Sequence, residues 1–137
     1  MITVTVYNES SLARVPRSAV ESVVSAVCTG EGIMEADIRV ILVSDEEIHR
    51  INREFLQHDY PTDVITFPIE DEPLEGEIYI SADTAGMQAK EYKVTLTNEL
   101  LRLSAHGALH LAGYDDDTSE KRTAMSELET KYVNSLR

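Results

Sequence analysis

Cysteine and tryptophan are almost absent from this sequence, which has one cysteine, Cys28, and no tryptophan among its 137 residues. A single cysteine excludes an intrachain disulfide, and it also excludes a zinc site built from several thiolates. Proteins without disulfides are typical of reducing compartments. We therefore expect Cys28 to be a small buried core residue and the protein to be cytoplasmic.

Long hydrophobic runs are also missing. No stretch approaches the roughly 18 apolar residues that a membrane-spanning helix requires. The N-terminal residues alternate between apolar and polar types, as in a β-strand, and no basic leader precedes an apolar core as it does in a signal peptide. The sequence therefore predicts neither a membrane segment nor a secretion signal.

Positive charge is scarce, because 12 lysines and arginines stand against 25 aspartates and glutamates, a formal net charge of −13. Nucleic-acid-binding surfaces are usually basic. The charge therefore argues against tight nonspecific binding to RNA or DNA, although it leaves room for a local basic cleft. The acidic clusters within residues 70–77 and 115–120 are interpreted as solvated surfaces.

The sequence consists of short segments in which apolar residues recur at the spacing of a strand or a helix. It contains no internal sequence repeat and no linker. The length and an apolar content of 42% predict one globular domain over residues 1–137. Strands are predicted at residues 2–7, 38–43, 62–67 and 77–81, and helices at about residues 16–30, 44–55, 81–90, 97–112 and 118–136. The nine-residue connection at 68–76 predicts a wide hairpin.

The element order βαβαββααα indicates an α+β fold, in which helices cover a small mixed β-sheet. Ser44 and Glu47 form a capping-box pattern at the start of the second helix, and Ser81 and Thr118 are expected caps of later ones. The helix at residues 97–112 is apolar nearly all round, which predicts that it is buried.

Two histidines on that buried helix predict a metal site. His106 and His110 are four residues apart, so they project from one face of the helix. Gly107 beside them is expected to leave room for a ligand. Gly113 ends the helix and lets the chain turn back, so that Asp116 reaches the same ion from the following loop.

This ligand set predicts one divalent ion per chain, zinc in the first place, with another divalent metal as the alternative. Three protein ligands leave a fourth position open for water, the pattern of a catalytic zinc site. The competing interpretation is a pair of satisfied core or surface histidines without a metal. The metal is favoured, because an unpaired imidazole in an apolar helix is costly to bury.

An open zinc position suggests a hydrolase, because zinc lowers the pKa of bound water and polarises a carbonyl or phosphoryl oxygen. An H-E-x-x-H peptidase is disfavoured, since Gly107 stands where its glutamate is needed. Two residues are candidates for a catalytic role: Asp115, as a general base or as a residue that orients a ligand, and His58. For both, the alternative is a purely structural role.

The segment from His106 to Asp116 resembles H-G-x-L-H-L-x-G-Y-D-H, the signature of the YbeY family. Asn52 and the loop at residues 59–64 resemble that family's second block, which leads into a strand that ends here at Phe67 and Pro68. Residues 76–78 resemble a third block. The resemblance covers most of residues 36–130.

Members of the YbeY family are described as single-strand-specific metallo-endoribonucleases. They act in maturing the 3′ end of small-subunit ribosomal RNA and in ribosome quality control. The resemblance therefore implies a nuclease of ribosome biogenesis, with single-stranded or ribosomal RNA and the ribosome or a ribosomal protein as partners. It also implies one zinc ion on the positions of His106, His110 and Asp116.

The sequence departs from the family pattern at two positions. Asp116 stands where the family usually has a histidine; a carboxylate is an acceptable zinc ligand, but its charge makes bound water less acidic. Leu56 stands where the family usually has an arginine that is thought important for RNA cleavage. His58, Arg53 or Arg50 are the available substitutes, and Leu56 is alternatively a core residue.

Three functions are therefore weighed. The first is an RNA-cleaving metallohydrolase, and the second is a ribosome-assembly binding factor with a structural metal and weak or no cleavage. Leu56 and the net charge of −13 favour the second. The third, an unrelated small-substrate hydrolase or minimal peptidase, is weakened by Gly107.

Overall fold

The computed structural model describes residues 1–136, which form four strands and five helices. In chain order these elements are β1 (Ile2–Asn8), α1 (Arg17–Gly30), β2 (Ala36–Val43), α2 (Asp45–Leu56), β3 (Val64–Asp71), β4 (Leu74–Ser81), α3 (Ala82–Tyr92), α4 (Leu96–Leu111) and α5 (Ser119–Asn134). The order βαβαββααα is the one predicted from the sequence.

The four strands form one mixed sheet in the order β1-β2-β4-β3. β1 and β2 are parallel, as are β2 and β4, whereas β3 runs antiparallel to β4 at the edge of the sheet. The register places Val4 beside Ile38 and Val40 beside Ile78, so these side chains line the same face. This arrangement confirms the predicted α+β fold with a small mixed sheet.

Helices cover the two faces of the sheet unequally. One face packs with α1, α4 and α5 around the main core, whose fully buried members include Ile38, Leu42, Ile78, Leu100, Leu109 and Met125. Cys28 belongs to this core, as predicted, and burial raises the pKa of its thiol to about 11. On the other face α2 buries a smaller cluster made of Ile41, Val43, Ile48, Ile51 and Ile65.

Two glycines let α4 approach the sheet closely. A Cβ at Gly107 would lie 2.6 Å from Cγ2 of Ile78 on β4, and a Cβ at Gly76 on β4 would lie 2.6 Å from Cδ2 of Leu111 on α4. An apolar side chain of β4 therefore packs against Gly107 of α4, and one of α4 packs against Gly76 of β4. The expectation that Gly107 leaves room for a ligand is wrong, because Ile78 fills that space.

The connection between β3 and β4 is a tight turn, and the predicted wide hairpin is wrong. β3 continues through Pro68 to Asp71, and only Glu72 and Pro73 separate it from β4. The pairing with β4 shifts between Pro68 and Glu70. Because β3 is an edge strand, it tolerates a proline and a local irregularity that would disrupt a central strand.

Side-chain caps begin four of the five helices of residues 1–136. A backbone N–H three residues later donates, over 3.0–3.1 Å, to the hydroxyl of Ser44, Ser81, Thr95 and Thr118. Glu47 does not complete the predicted capping box, because its carboxylate accepts hydrogen bonds from Arg50. None of these helices combines the length and the apolar character that crossing a membrane requires.

Candidate metal centre

The last turns of α4 and the following loop bring three ligand-type atoms together. His106 and His110 lie one turn apart on α4, and Gly113, with a φ of +108°, turns the chain back. Asp116 then approaches both imidazoles from the loop. Its Oδ2 lies 3.5 Å from Nε2 of His106 and 3.4 Å from Nε2 of His110, and the two Nε2 atoms are 3.1 Å apart. The structure thus brings the three predicted ligands into one group.

In their neutral forms both imidazoles carry the proton on Nδ1, so that each Nε2 is free to bind a cation. Nδ1 of His110 lies 2.9 Å from the carbonyl oxygen of Tyr114, which only accepts, so this Nδ1 carries the proton. Nδ1 of His106 likewise donates to Oε2 of Glu129 at 2.6 Å. In a neutral imidazole with its proton on Nδ1, the Nε2 atom carries no proton and can only accept. Three acceptor atoms therefore face one another, and such a group requires a proton or a metal cation.

The distances within this group fit a tetrahedral metal ion. Ligand atoms that each lie about 2.0–2.1 Å from a tetrahedral zinc ion are about 3.3 Å from one another. The three observed separations range from 3.1 to 3.5 Å and include that value. Two imidazoles and one carboxylate are also a known ligand set of catalytic zinc, with the fourth position open. The residues present therefore fit a single divalent ion.

A buried carboxylate orients the first histidine. Glu129 on α5 is 3% exposed, and Nη1 of Arg102 donates to its Oε1 at 3.1 Å. Arg102 also makes a two-point pair with the fully buried Glu99, and these hydrogen bonds raise the pKa of its guanidinium. A continuous hydrogen-bonded network thus connects Glu99, Arg102, Glu129 and His106. A carboxylate partner of this kind fixes the ring and increases its basicity as a ligand.

Opposing influences act on the pKa of His106. Burial of the ring is the largest, and it lowers the pKa, whereas the hydrogen bond and charge of Glu129 and the charges of Asp116 and Asp63 raise it. Together they raise the pKa above the ordinary value of 6.5. A proton therefore competes with a metal ion for this group in weakly acidic solution.

The network residues Glu99, Arg102 and Glu129 were not found from the sequence, although a signal was present. Glu129 interrupts the apolar stripe of α5 between Met125 and Tyr132, and a charged residue is rarely buried without a partner. Glu99 and Arg102 share the histidine face of α4 at helical spacing. Charged residues on two buried helix faces predict that the faces meet.

The loop that carries Asp116 is anchored to the rest of the protein. The hydroxyl of Tyr114 donates to Oε1 of Glu31 at 2.6 Å, and Tyr132 on α5 donates to the other oxygen of the same carboxylate. These hydrogen bonds, that of Tyr114 first, lower the pKa of Glu31. Arg122 donates to the carbonyl oxygen of Asp116 at 3.2 Å. Hydrogen bonds to Glu31 and from Arg122 therefore anchor the loop of Asp116, the third candidate ligand.

The ligand atoms lie in an open cleft of about 300 Å³. The end of α2, the loop after it and β3 contribute the remaining walls, with the residues Asn52, Leu56, His58, Tyr60, Thr62, Asp63, Val64, Ile65 and Thr66. Within residues 1–136, no lysine or arginine lines this cleft. Its formal charge before a metal binds is therefore negative.

Several residues singled out from the sequence border this cleft. His58 lines it, and so does Leu56, whose 40% exposure rules out the alternative in which it packs into the core. Asp63, which the sequence marked only as part of a family block, lies in the cleft and acts electrostatically on His106. Asp115 is exposed and does not belong to the described lining.

A larger groove, of about 720 Å³, lies between α2 and the open face of the sheet. Phe55, Phe67 and Tyr79 contribute to its walls, and so does Arg50, which pairs with Glu47. Neither histidine of the ligand group nor its aspartate lines this groove. We assign the functional site to the smaller cleft, because the ligand atoms converge there.

Sequence comparison matches nearly the whole chain to one family. The family profile described as Endoribonuclease YbeY matches residues 5–137. A protein named Endoribonuclease YbeY from Chlorobium phaeobacteroides (strain DSM 266) is 42% identical over 129 residues, which are 93% of this chain and 90% of that protein. A protein of the same name from Chlorobaculum tepidum is 47% identical over 116 residues, 84% of this chain and 85% of that protein.

A solved structure agrees with this match. The solution structure of a protein from Thermotoga maritima superposes with a TM-score of 0.67 at 35% sequence identity, over 98% of this chain and 87% of that one. The resemblance seen in the segment from His106 to Asp116 is thus confirmed over the whole fold. This chain belongs to the Endoribonuclease YbeY family.

Proposed function

We propose that this protein is a metal-dependent endoribonuclease that cleaves single-stranded RNA, with one zinc ion held by His106, His110 and Asp116. The observation that carries the proposal is the convergence of three ligand-type atoms, 3.1–3.5 Å apart, in an open cleft. Relatives at 42% and 47% identity bear the name endoribonuclease. Another divalent metal is the alternative, because a carboxylate ligand also suits ions harder than zinc.

The chemistry that such an ion supplies is the activation of water and the polarisation of a phosphoryl oxygen. The protein's residues prepare that chemistry. Glu129 keeps the proton of His106 on Nδ1, so that Nε2 stays free to bind, and the Tyr114 carbonyl does the same for His110. His58 and Asp63 line the cleft together with the candidate ligands, so they are better placed than the exposed Asp115 to accept a proton from water.

The family resemblance supplies the biological part of the proposal. We infer a cytoplasmic role in maturing the 3′ end of small-subunit ribosomal RNA and in ribosome quality control, with the ribosome or a ribosomal protein as partner. The size of the cleft supports an unpaired substrate. A flexible strand can present one nucleotide to a site of about 300 Å³, whereas bases in an RNA duplex are held in a rigid stack.

Metal content and cleavage, measured on the same preparations, test the proposal. The purified protein should hold about one equivalent of a divalent metal and should cleave an unstructured ribosomal RNA fragment in preference to its duplex form. His106→Ala and His110→Ala should lose both properties. His49→Ala changes a histidine outside the cleft, which pairs with Asp59, and should keep the metal. Metal-independent cleavage, or full metal content in both ligand variants, would contradict the proposal.

A second function remains a candidate because of one observation. Leu56, and not a cation, borders the cleft, and the described lining has no lysine or arginine to stabilise charge on a phosphoryl group. This favours a ribosome-assembly binding factor with a structural metal. Such a protein would hold the metal and bind RNA or ribosomal subunits without cleaving RNA, so the same preparations distinguish the two functions.

A further inference from the structure

Two aromatic rings are stacked on the wall of the cleft that holds the ligand group. The imidazole of His58 and the phenol ring of Tyr60 have centroids 5.4 Å apart and planes within 10° of parallel. Both residues line the cleft together with His106 and His110. Tyr60 is 53% exposed, so much of its ring surface is open to a ligand. We call these two residues the His58–Tyr60 pair.

Hydrogen bonds anchor the loop that carries the pair to α2. Asn52, which is 2% exposed, donates from Nδ2 to the carbonyl oxygen of Tyr60 at 2.9 Å. The carbonyl oxygen of Asn52 accepts the N–H of His58 at 3.1 Å. Between the two rings in sequence, Asp59 contacts His49 at 2.8 Å. A surface that is ordered in advance loses less conformational entropy when a ligand binds.

The electrostatics of the cleft favour contacts to bases over contacts to phosphates. Asp63 and Asp116 line it, and the described lining has no lysine or arginine. Arg53, on the nearby end of α2, lies 4.0 Å from the carboxylate of Asp59. Neutralisation of phosphates by cations normally supplies much of the affinity for nucleic acid. Where that contribution is small, stacking of bases on aromatic side chains is the main remaining source.

We propose that Tyr60, backed by His58, is the stacking surface for an unpaired base of the substrate, next to the ligand group. This assignment rests on the proposed function, and it names the part of the substrate that the cleft recognises. Stacking on Tyr60 requires a base with a free face. A base inside a duplex has both faces covered by its neighbours, so the His58–Tyr60 pair selects single strands.

Equilibrium binding of a short single-stranded RNA with 2′-O-methyl groups, measured by fluorescence anisotropy on the zinc-loaded protein, tests the assignment. Tyr60→Ala should weaken binding by about tenfold or more, whereas Tyr60→Phe, which keeps the ring, should stay within about twofold of the unchanged protein. The dependence of log Kd on log salt concentration should have the same slope in all three proteins, because stacking releases no counterions.

A second tyrosine and a second oligomer provide the controls. Tyr7 on β1 is 46% exposed and lies outside the cleft, so Tyr7→Ala should bind as the unchanged protein does. An oligomer of equal length with abasic residues keeps the phosphates and lacks the rings. It should bind the unchanged protein and Tyr60→Ala equally weakly.

Three results would overturn the stacking role. These are unchanged binding by Tyr60→Ala, binding by Tyr60→Phe as weak as that by Tyr60→Ala, and equal affinity for the abasic oligomer. RNA cleavage by the same preparations separates the two proposals. Cleavage by the unchanged protein together with any of these results contradicts the stacking role alone, whereas a protein that neither binds nor cleaves RNA contradicts both.

Discussion

Nδ1 of His106 lies 2.6 Å from Oε2 of Glu129, a residue of a different helix. The hydrogen bond joins a candidate metal ligand on α4 to a buried carboxylate of α5, which also accepts a hydrogen bond from Arg102. The orientation of His106 therefore depends on how α4 and α5 pack, and not on the i, i+4 spacing of the histidines alone.

Glu129→Gln should lower metal affinity by about 10–100-fold, because the neutral amide no longer increases the basicity of His106. Competition with a chromophoric chelator measures the affinity. Glu127→Gln is the matched control, since Glu127 is an exposed residue of the same helix, and it should bind metal normally. Equal affinities of the two variants would show that Glu129 does not act on the metal site.

Asp116→His should retain the metal, because imidazole and carboxylate are both zinc ligands. Asp116→Ala should lower the affinity for the metal by at least about tenfold, since losing a ligand costs more affinity than losing a residue that only hydrogen-bonds to a ligand. The neighbouring variant Asp115→Ala, at an exposed position, should keep the metal. If Asp116→Ala holds as much metal as the unchanged protein in a chelator titration, another residue is the third ligand.

Leu56→Arg should raise cleavage of single-stranded RNA by about tenfold or more, because it adds a guanidinium that can stabilise charge on a phosphoryl group. Leu56 is already 40% exposed, so the melting temperature should change little. Phe55→Arg adds the same charge one residue earlier, where the side chain lines the larger groove. Equal gains in both variants would indicate a general effect of net charge, and no gain in either would favour the binding-factor alternative.

Local features of this fold could be predicted from the sequence, because local patterns determine them. The stripe formed by Val20, Val23, Val24 and Val27 identified α1, and hydroxyl caps marked the starts of later helices. The ligand group was predictable for the same reason, since spacing along one helix and one glycine turn place its members.

Features that depend on contacts between distant segments could not be predicted in this way. Pro68 suggested a loop, and only the edge position of β3 explains why the strand continues through it. Gly107 suggested a ligand space, and only the position of Ile78 shows why a glycine is needed there. Glu129 interrupts the apolar stripe of α5, but that pattern does not show which residue of another helix it contacts; the packing of α5 on α4 brings it to His106.

The carboxylate of Glu31 should make stability depend on pH. Hydrogen bonds from Tyr114 and Tyr132 lower its pKa in the folded state, so the ionised form stabilises the fold above the unfolded pKa of about 4.3. This stabilisation is lost as the pH falls through the lower, folded pKa. Glu31→Gln should therefore melt about 3 °C lower at pH 7, for a loss of about 1 kcal/mol.

Melting curves of both proteins from pH 7 to pH 3 check this expectation. The gap between their melting temperatures should close toward the acidic end, because protonated Glu31 no longer carries the charge that the two phenols stabilise. A gap that stays constant over the whole range would show that Glu31 contributes through packing and not through its ionised form.

Gly107→Ala should destabilise the protein by about 1–3 kcal/mol through overpacking, because the new methyl group meets Ile78. Gly86 on α3 is the matched control, since nothing lies within 4 Å of a Cβ at that position. There the same change should stabilise the helix by up to about 1 kcal/mol. Chemical denaturation measures both effects, and a shift of the same sign in both variants would contradict the close helix–sheet contact at Gly107.

The order of elements along the chain places the candidate metal ligands after every strand of the sheet. The β3–β4 hairpin pairs across a two-residue turn, whereas the β2–β4 contact between Arg39 and Glu77 joins residues 38 apart and costs more chain entropy to close. The ligand group and Glu129 lie C-terminal to every strand. During synthesis the strands therefore leave the ribosome before the candidate ligands do, so a metal ion bound by that group would stabilise a sheet whose pairing it does not direct.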